Sequence, residues 1–165
     1  MLYCFVCFGV TYKEDNMDSW KSLFIILSVI GFTCAEVVKF LDCGSSVGKV
    51  SVVGITPCPT QPCKLKKGEN YSVNVTFVSE VQTQASTAVV HGIIAGIPIP
   101  FPIPVSDGCH SGISCPIQVN QVYHYVATLP VKTEYPSLKV TVEWELRDDS
   151  SKDLFCIKFP IEIVS

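Results

Sequence analysis

Nine cysteines, three histidines and one glycine-serine motif are the residues of this 165-residue chain whose types and spacing could do chemistry. What cysteines do depends on compartment: thiolates act as nucleophiles or metal ligands in reducing surroundings and become structural disulfides in oxidising ones. The front of the chain decides between these. Lys21 precedes the uncharged run Leu23 to Phe32, and Thr33-Cys34-Ala35 supplies the small residues that a signal peptidase reads. That run is about half the roughly 20 residues of a membrane-spanning helix, so it reads as a secretory signal cleaved after Ala35. Met17 is a natural initiator for such a signal. The expected organisation is therefore an upstream extension at 1–16, a signal peptide at 17–35 and one domain at 36–165.

Cys4, Cys7 and Cys34 leave with that front, and an even set remains: Cys43, Cys58, Cys63, Cys109, Cys115 and Cys156. Six cysteines in a secreted chain read as three disulfides, and zinc ligation fails on both compartment and spacing. Cys58 and Cys63 bracket Pro-Thr-Gln-Pro, and Cys109 and Cys115 bracket a turn containing Ser-Gly. Each pair can close locally, which leaves Cys43 for Cys156.

The other candidates for catalysis are weak. Gly44-Ser45-Ser46-Val47-Gly48 matches a nucleophile elbow on paper, but an elbow needs a strand, a sharp turn and then a helix. Here the motif leads into another strand-like run. His91, His110 and His124 have no acid partner at a motif spacing, and Glu143 and Glu145 share the polar face of one strand with Thr141. Two N-glycosylation acceptors are present, Asn70-Tyr71-Ser72 and Asn74-Val75-Thr76. The net charge of −3 and the lack of basic-aromatic interleaving exclude nucleic acid as a natural partner. No metal or cofactor is called for, and the chain does not read as an enzyme.

The elements that must position these residues are strands. Val37 to Leu41, Lys49 to Thr56, Tyr71 to Val78, Thr87 to Ala95, Val122 to Leu129, Leu138 to Leu146 and Leu154 to Val164 are β-branched and aromatic, and turn residues separate them. Alternation is clear in Tyr71 to Phe77 and in Val140 to Leu146, and no helical stripe competes. About seven antiparallel strands predict an all-β, two-sheet immunoglobulin-like sandwich. Trp144 does not lie between two cysteines of facing central strands, so no bridge staples the sheets through the middle. Such sheets can part to admit a ligand.

Between the cysteine-closed loops runs His91 to Val105, almost free of charge, with Pro98, Pro100, Pro102 and Pro104 alternating with apolar residues. Prolines remove donors that a central strand or helix interior needs, so the segment is expected to be stiff, irregular and laid over something apolar. A polyproline ligand would have to be exposed in the cytosol, which the signal contradicts. The rim or lid of a lipid pocket fits best.

A specific likeness now attaches to particular residues. Asp42-Cys43-Gly44, Pro57 to Cys63, Tyr71 to Phe77, Pro98 to Pro104, Asp107-Gly108-Cys109, Cys115-Pro116-Ile117, Leu129-Pro130-Val131 and Glu134 to Ser137 resemble the ML lipid-recognition family. The likeness spans residues 36–165. It implies a monomeric, glycosylated sterol carrier of the secretory pathway and lysosomal lumen, with unesterified cholesterol between the sheets as cargo. It places sterol contacts on Phe101, Val131 and Tyr135. It also makes Ile93, Ile94, Gly96, Ile97 and Ile99 a knob that meets anionic lysosomal membranes and the Niemann-Pick type C1 membrane protein. Two positions depart from the family pattern: His110 stands where lysine is expected and Ile157 where tryptophan is expected. The competing readings are a secreted interaction module or receptor co-factor of the same fold, and a hydrolase built on Gly44 to Gly48.

Overall fold

The computed structural model describes residues 36–165. The extension expected at 1–16 and the signal expected at 17–35 lie outside the described residues.

Among the described residues alternation gives ten strands in two layers, antiparallel but for one short added strand, where the sequence predicts about seven. β1 (Glu36–Val37), β3 (Gly48–Thr56), β5 (Asn70–Ser79) and β8 (Val122–Pro130) form one sheet in the order β1-β3-β5-β8. The other runs β2-β10-β9-β6-β7, from β2 (Leu41–Asp42), β10 (Asp153–Val164), β9 (Lys139–Asp148), β6 (Ser86–Ile94) and β7 (Ile97–Pro100). β4 (Cys63–Lys66) adds to β10 in parallel. The architecture is the immunoglobulin-like sandwich that the sequence predicts.

Three differences account for the extra strands. The stretch expected as one first strand divides, because β1 pairs with β3 of one sheet while β2 pairs with β10 of the other. A four-residue strand, Cys63-Lys64-Leu65-Lys66, is too short for its alternation to stand out. The third is β7, made from the proline run that was expected to be irregular. It forms a hairpin with β6 through Ala95 and Gly96, whose φ values of 50° and 83° are those of a type I′ turn. Prolines are tolerated there because β7 is an outermost strand.

The two sheets face each other with β5, β8, β9 and β10 turning their apolar residues inward. Phe77, Tyr125, Trp144 and Phe155 pack in one half of the interior, with ring centroids 5.4 Å apart for Phe77 and Phe155 and 6.2 Å for Tyr125 and Trp144. Burial pushes the Tyr125 phenol up to about 12. Ile157, which departs from the family pattern, is fully buried in this core. Three disulfides join Cys43 to Cys156, Cys58 to Cys63 and Cys109 to Cys115. The first fastens β10 to the segment that follows β2, at a margin of the sandwich.

Candidate functional site

The half of the interior not filled by aromatic rings is a cavity of about 310 Å³. Its walls come from both sheets: Leu129 from β8, Val140 and Val142 from β9, Ile161 and Ile163 from β10. Each is an inward residue of an alternating strand, which is why the wall is hydrocarbon almost throughout. Gly92 of β6 helps to keep the space open. A Cβ at that position would come within 3.3 Å of the Val140 side chain, so any larger residue would project into the wall.

The three residues expected to touch a sterol all line this cavity. Phe101 follows β7 and is held to β6 by its N–H, which donates to the Val90 carbonyl at 2.8 Å. Val131 follows β8, and two main-chain hydrogen bonds fix it: its N–H donates to Glu69 at 2.9 Å, and its carbonyl accepts from Gly68 at 2.5 Å. Tyr135 stands on the turn that Tyr135 N–H closes on the Lys132 carbonyl at 3.2 Å. Phe101 and Tyr135 lie with ring centroids 5.5 Å apart, both half-buried, so together they form an aromatic rim between cavity and solvent. Leu65, Gly92, Leu129, Val140, Val142, Ile161 and Ile163 were not singled out from sequence. Their inward alternation marks them as core, and nothing local distinguishes core that meets protein from core that meets a cavity.

The expected knob divides by side. Ile94 and Ile99 line the cavity, Ile97 is 65% exposed beside the turn, Gly96 is in the turn itself, and Ile93 faces the outside of the sheet near Thr141 and Pro160. The segment is therefore both pocket wall and exposed apolar tip.

Elsewhere the structure separates what catalysis would need to bring together. The Asp42 carboxylate accepts from the N–H groups of Gly44 and Ser45 at 2.9 Å each. Burial alone would raise this carboxyl, but those donors outweigh it and hold it low. Ser45 Oγ accepts from Cys156 N–H at 3.1 Å, so the Gly44 to Gly48 motif is a hydrogen-bonded bend into β3, not an elbow. Glu145 pairs with Arg147 at 2.8 Å and Glu143 with Lys158 at 3.6 Å on the outer face of their sheet.

The histidines sit on three separate elements. His91 stands on β6 opposite Pro100, and His124 on β8 meets Thr76 Oγ1 at 3.0 Å. His110 lies in a short 3-10 turn, Gly108–His110, 2.8 Å from the Asp107 carboxylate. That hydrogen bond, with help from the Cys109 N–H, holds Asp107 below the usual carboxylate range. Asp107 bridges to Thr87 near the start of β6, whereas the hairpin tip is at its end. His110 therefore lies toward the opposite end of β6 from the apolar tip. Of the glycosylation acceptors, Asn70 opens β5 and is exposed, while Asn74 is half-buried on the outer face between Gly54 and Val126. Among the described residues no helix is long and apolar enough to cross a membrane.

The ML domain family matches residues 37–163. NPC intracellular cholesterol transporter 2 of Danio rerio is 65% identical over 141 residues, covering 86% of this chain and 95% of the relative. The protein of the same name from Bos taurus is 60% identical over 140 residues, covering 85% and 94%, and homolog a from Drosophila melanogaster is 39% identical over 132 residues, covering 78% and 89%. Among solved structures, a Niemann-Pick type C2 protein from Japanese carpenter ant superposes with a TM-score of 0.72 at 30% identity, covering 77% of this chain and all of that one. A match running the length of the sandwich, joined to this degree of identity across nearly the full relatives, places the chain in the ML domain family, among the NPC intracellular cholesterol transporter 2 proteins.

Proposed function

We propose that the chain is a soluble sterol carrier that takes one unesterified cholesterol between its sheets and gives it up to membranes or to a membrane sterol transporter. The observation that carries this is the almost wholly hydrocarbon cavity, in a chain 65% identical to a cholesterol transporter. A hydrocarbon wall rewards an apolar ligand by about 25 cal/mol per Å² of surface removed from water. It also penalises any polar group carried inward without a partner, so the single sterol hydroxyl stays at the mouth. In this reading the ring system lies against Phe101, Val131 and Tyr135. The cavity is near the lower end of the usual range for ligand pockets, roughly 300 Å³. Loading therefore parts the Phe101–Tyr135 rim and the sheets behind it.

The mature domain is residues 36–165, exported by the secretory pathway and working in the lysosomal lumen as a glycosylated monomer. The apolar hairpin tip serves contact with anionic lysosomal membranes and with the Niemann-Pick type C1 membrane protein. No acid, base or nucleophile is assigned, and no cofactor is required beyond the cargo. Native mass spectrometry of protein exposed to cholesterol-containing vesicles tests the proposal. One sterol per chain is expected, exchanged for an isotope-labelled sterol added in excess and reduced in Phe101→Ala. A folded protein that emerges without sterol would sink it.

A further inference from the structure

The alternation of prolines with apolar residues from Ile97 to Phe101 has a meaning in the hydrogen-bond ladder that does not depend on what fills the pocket. In an antiparallel pair, residues alternate between those whose N–H and C=O both face the neighbouring strand and those whose groups both face away. The Phe101 N–H donates to Val90, so Phe101 belongs to the first kind, and the register gives the same place to Ile99 opposite Gly92 and Ile97 opposite Ile94. Pro98 opposite Ile93 and Pro100 opposite His91 are of the second kind. Their backbone groups point to the free edge of the sheet, where β7 is outermost. Both outward positions of β7, 98 and 100, are thus residues without an N–H, and the inward positions 97, 99 and 101 are Ile or Phe.

The apolar residues make this edge hazardous. Ile97 is 65% and Ile99 47% exposed, and an apolar edge with free N–H and C=O groups is a template for another strand. Here the edge offers carbonyl acceptors only. We infer that β7 is closed to strand addition, so that a second copy of this chain cannot extend the six-stranded sheet and a partner reaches the hairpin only through its side chains.

The test restores the donors. Pro98→Thr with Pro100→Thr places two outward N–H groups on β7, with side chains suited to a strand. In sedimentation velocity over a concentration series the unaltered chain should remain monomeric, while the double variant self-associates at least about tenfold more tightly, the factor that one hydrogen bond of ordinary net strength supplies. Hydrogen exchange should show the new amides at 98 and 100 open in dilute protein and protected on association. Pro59→Thr, which removes an exposed proline in the Cys58–Cys63 loop, should behave as the unaltered chain does. If the double variant does not fold, Pro98→Thr alone restores one donor and gives the same readout. A folded variant as monomeric as the unaltered chain overturns the inference, as does association that leaves the new amides unprotected.

Discussion

Phe101 and Tyr135 are half-buried where the wall residues Leu129, Val140, Val142, Ile161 and Ile163 are buried, and a rim residue has to serve both the closed and the loaded state. Truncating Phe101 removes one ring of that rim. We expect Phe101→Ala to weaken sterol binding by about 2 to 4 kcal/mol, roughly 30- to 800-fold in dissociation constant, measured by fluorescent sterol titration of the folded variant. Unchanged affinity would show that the sterol lies elsewhere. Asp153 makes a different residue-scale prediction. Burial pushes its carboxyl above the ordinary range, Glu145 pushes the same way, and Arg147, at 3.6 Å, only partly offsets them. A carboxyl raised in the folded state contributes its stability below the ordinary unfolded value and loses it as pH rises through the raised one. Asp153→Asn should therefore unfold at a higher temperature than the unaltered protein near neutral pH, and the gap should close as pH falls to about 4. Thermal melts across that window check it; a lower melting temperature for the variant at neutral pH would mean that the Arg147 pair outweighs burial.

At the scale of elements, the β6–β7 hairpin joins pocket wall to exposed tip. Ile97 is exposed and does not line the cavity, so a charge there should disturb contact with a bilayer more than it disturbs binding. For Ile97→Asp we expect near-normal equilibrium sterol binding and much slower sterol transfer between anionic vesicles. Equal transfer rates at matched affinity would show that membrane contact uses another face. The turn itself is not ideal. Ala95 holds φ at 50°, in the left-handed region where a Cβ is costly and asparagine is better tolerated. Ala95→Asn should accordingly stabilise the fold by about 0.5 to 1 kcal/mol, read as a higher denaturant midpoint.

For the molecule as a whole, the disulfide with the largest sequence separation does most to restrict the unfolded chain. Cys43–Cys156 closes a separation of 113 residues, whereas the other two close 5 and 6. Replacing both Cys43 and Cys156 by serine should cost about 4 to 5 kcal/mol if the chain-entropy account holds, measured by guanidinium unfolding of each protein. Because this bridge lies at a margin of the sandwich, its loss should lower stability more than it changes the pocket. The two sheets are held together through the middle by packing alone, which leaves them able to part around a ligand.

The sequence by itself determined the fold class, because alternation in β5 and in β9 fixes one inward and one outward face and therefore two sheets with a shared interior. It also determined the disulfide pairing, since two short cysteine loops leave one partner each for the outer residues, and it drew attention to the proline run through a composition that no solvated loop needs. Tertiary structure decided the rest. Whether an inward valine such as Val140 meets another side chain or an empty space depends on the facing sheet, which no local pattern encodes. The proline run became a strand because position at the sheet edge removes the demand for outward donors, and edge position is a property of the assembled sheet. His110 came to lie away from the hairpin tip because β6 runs the length of the sheet between them, a separation set by pairing rather than by proximity in the chain.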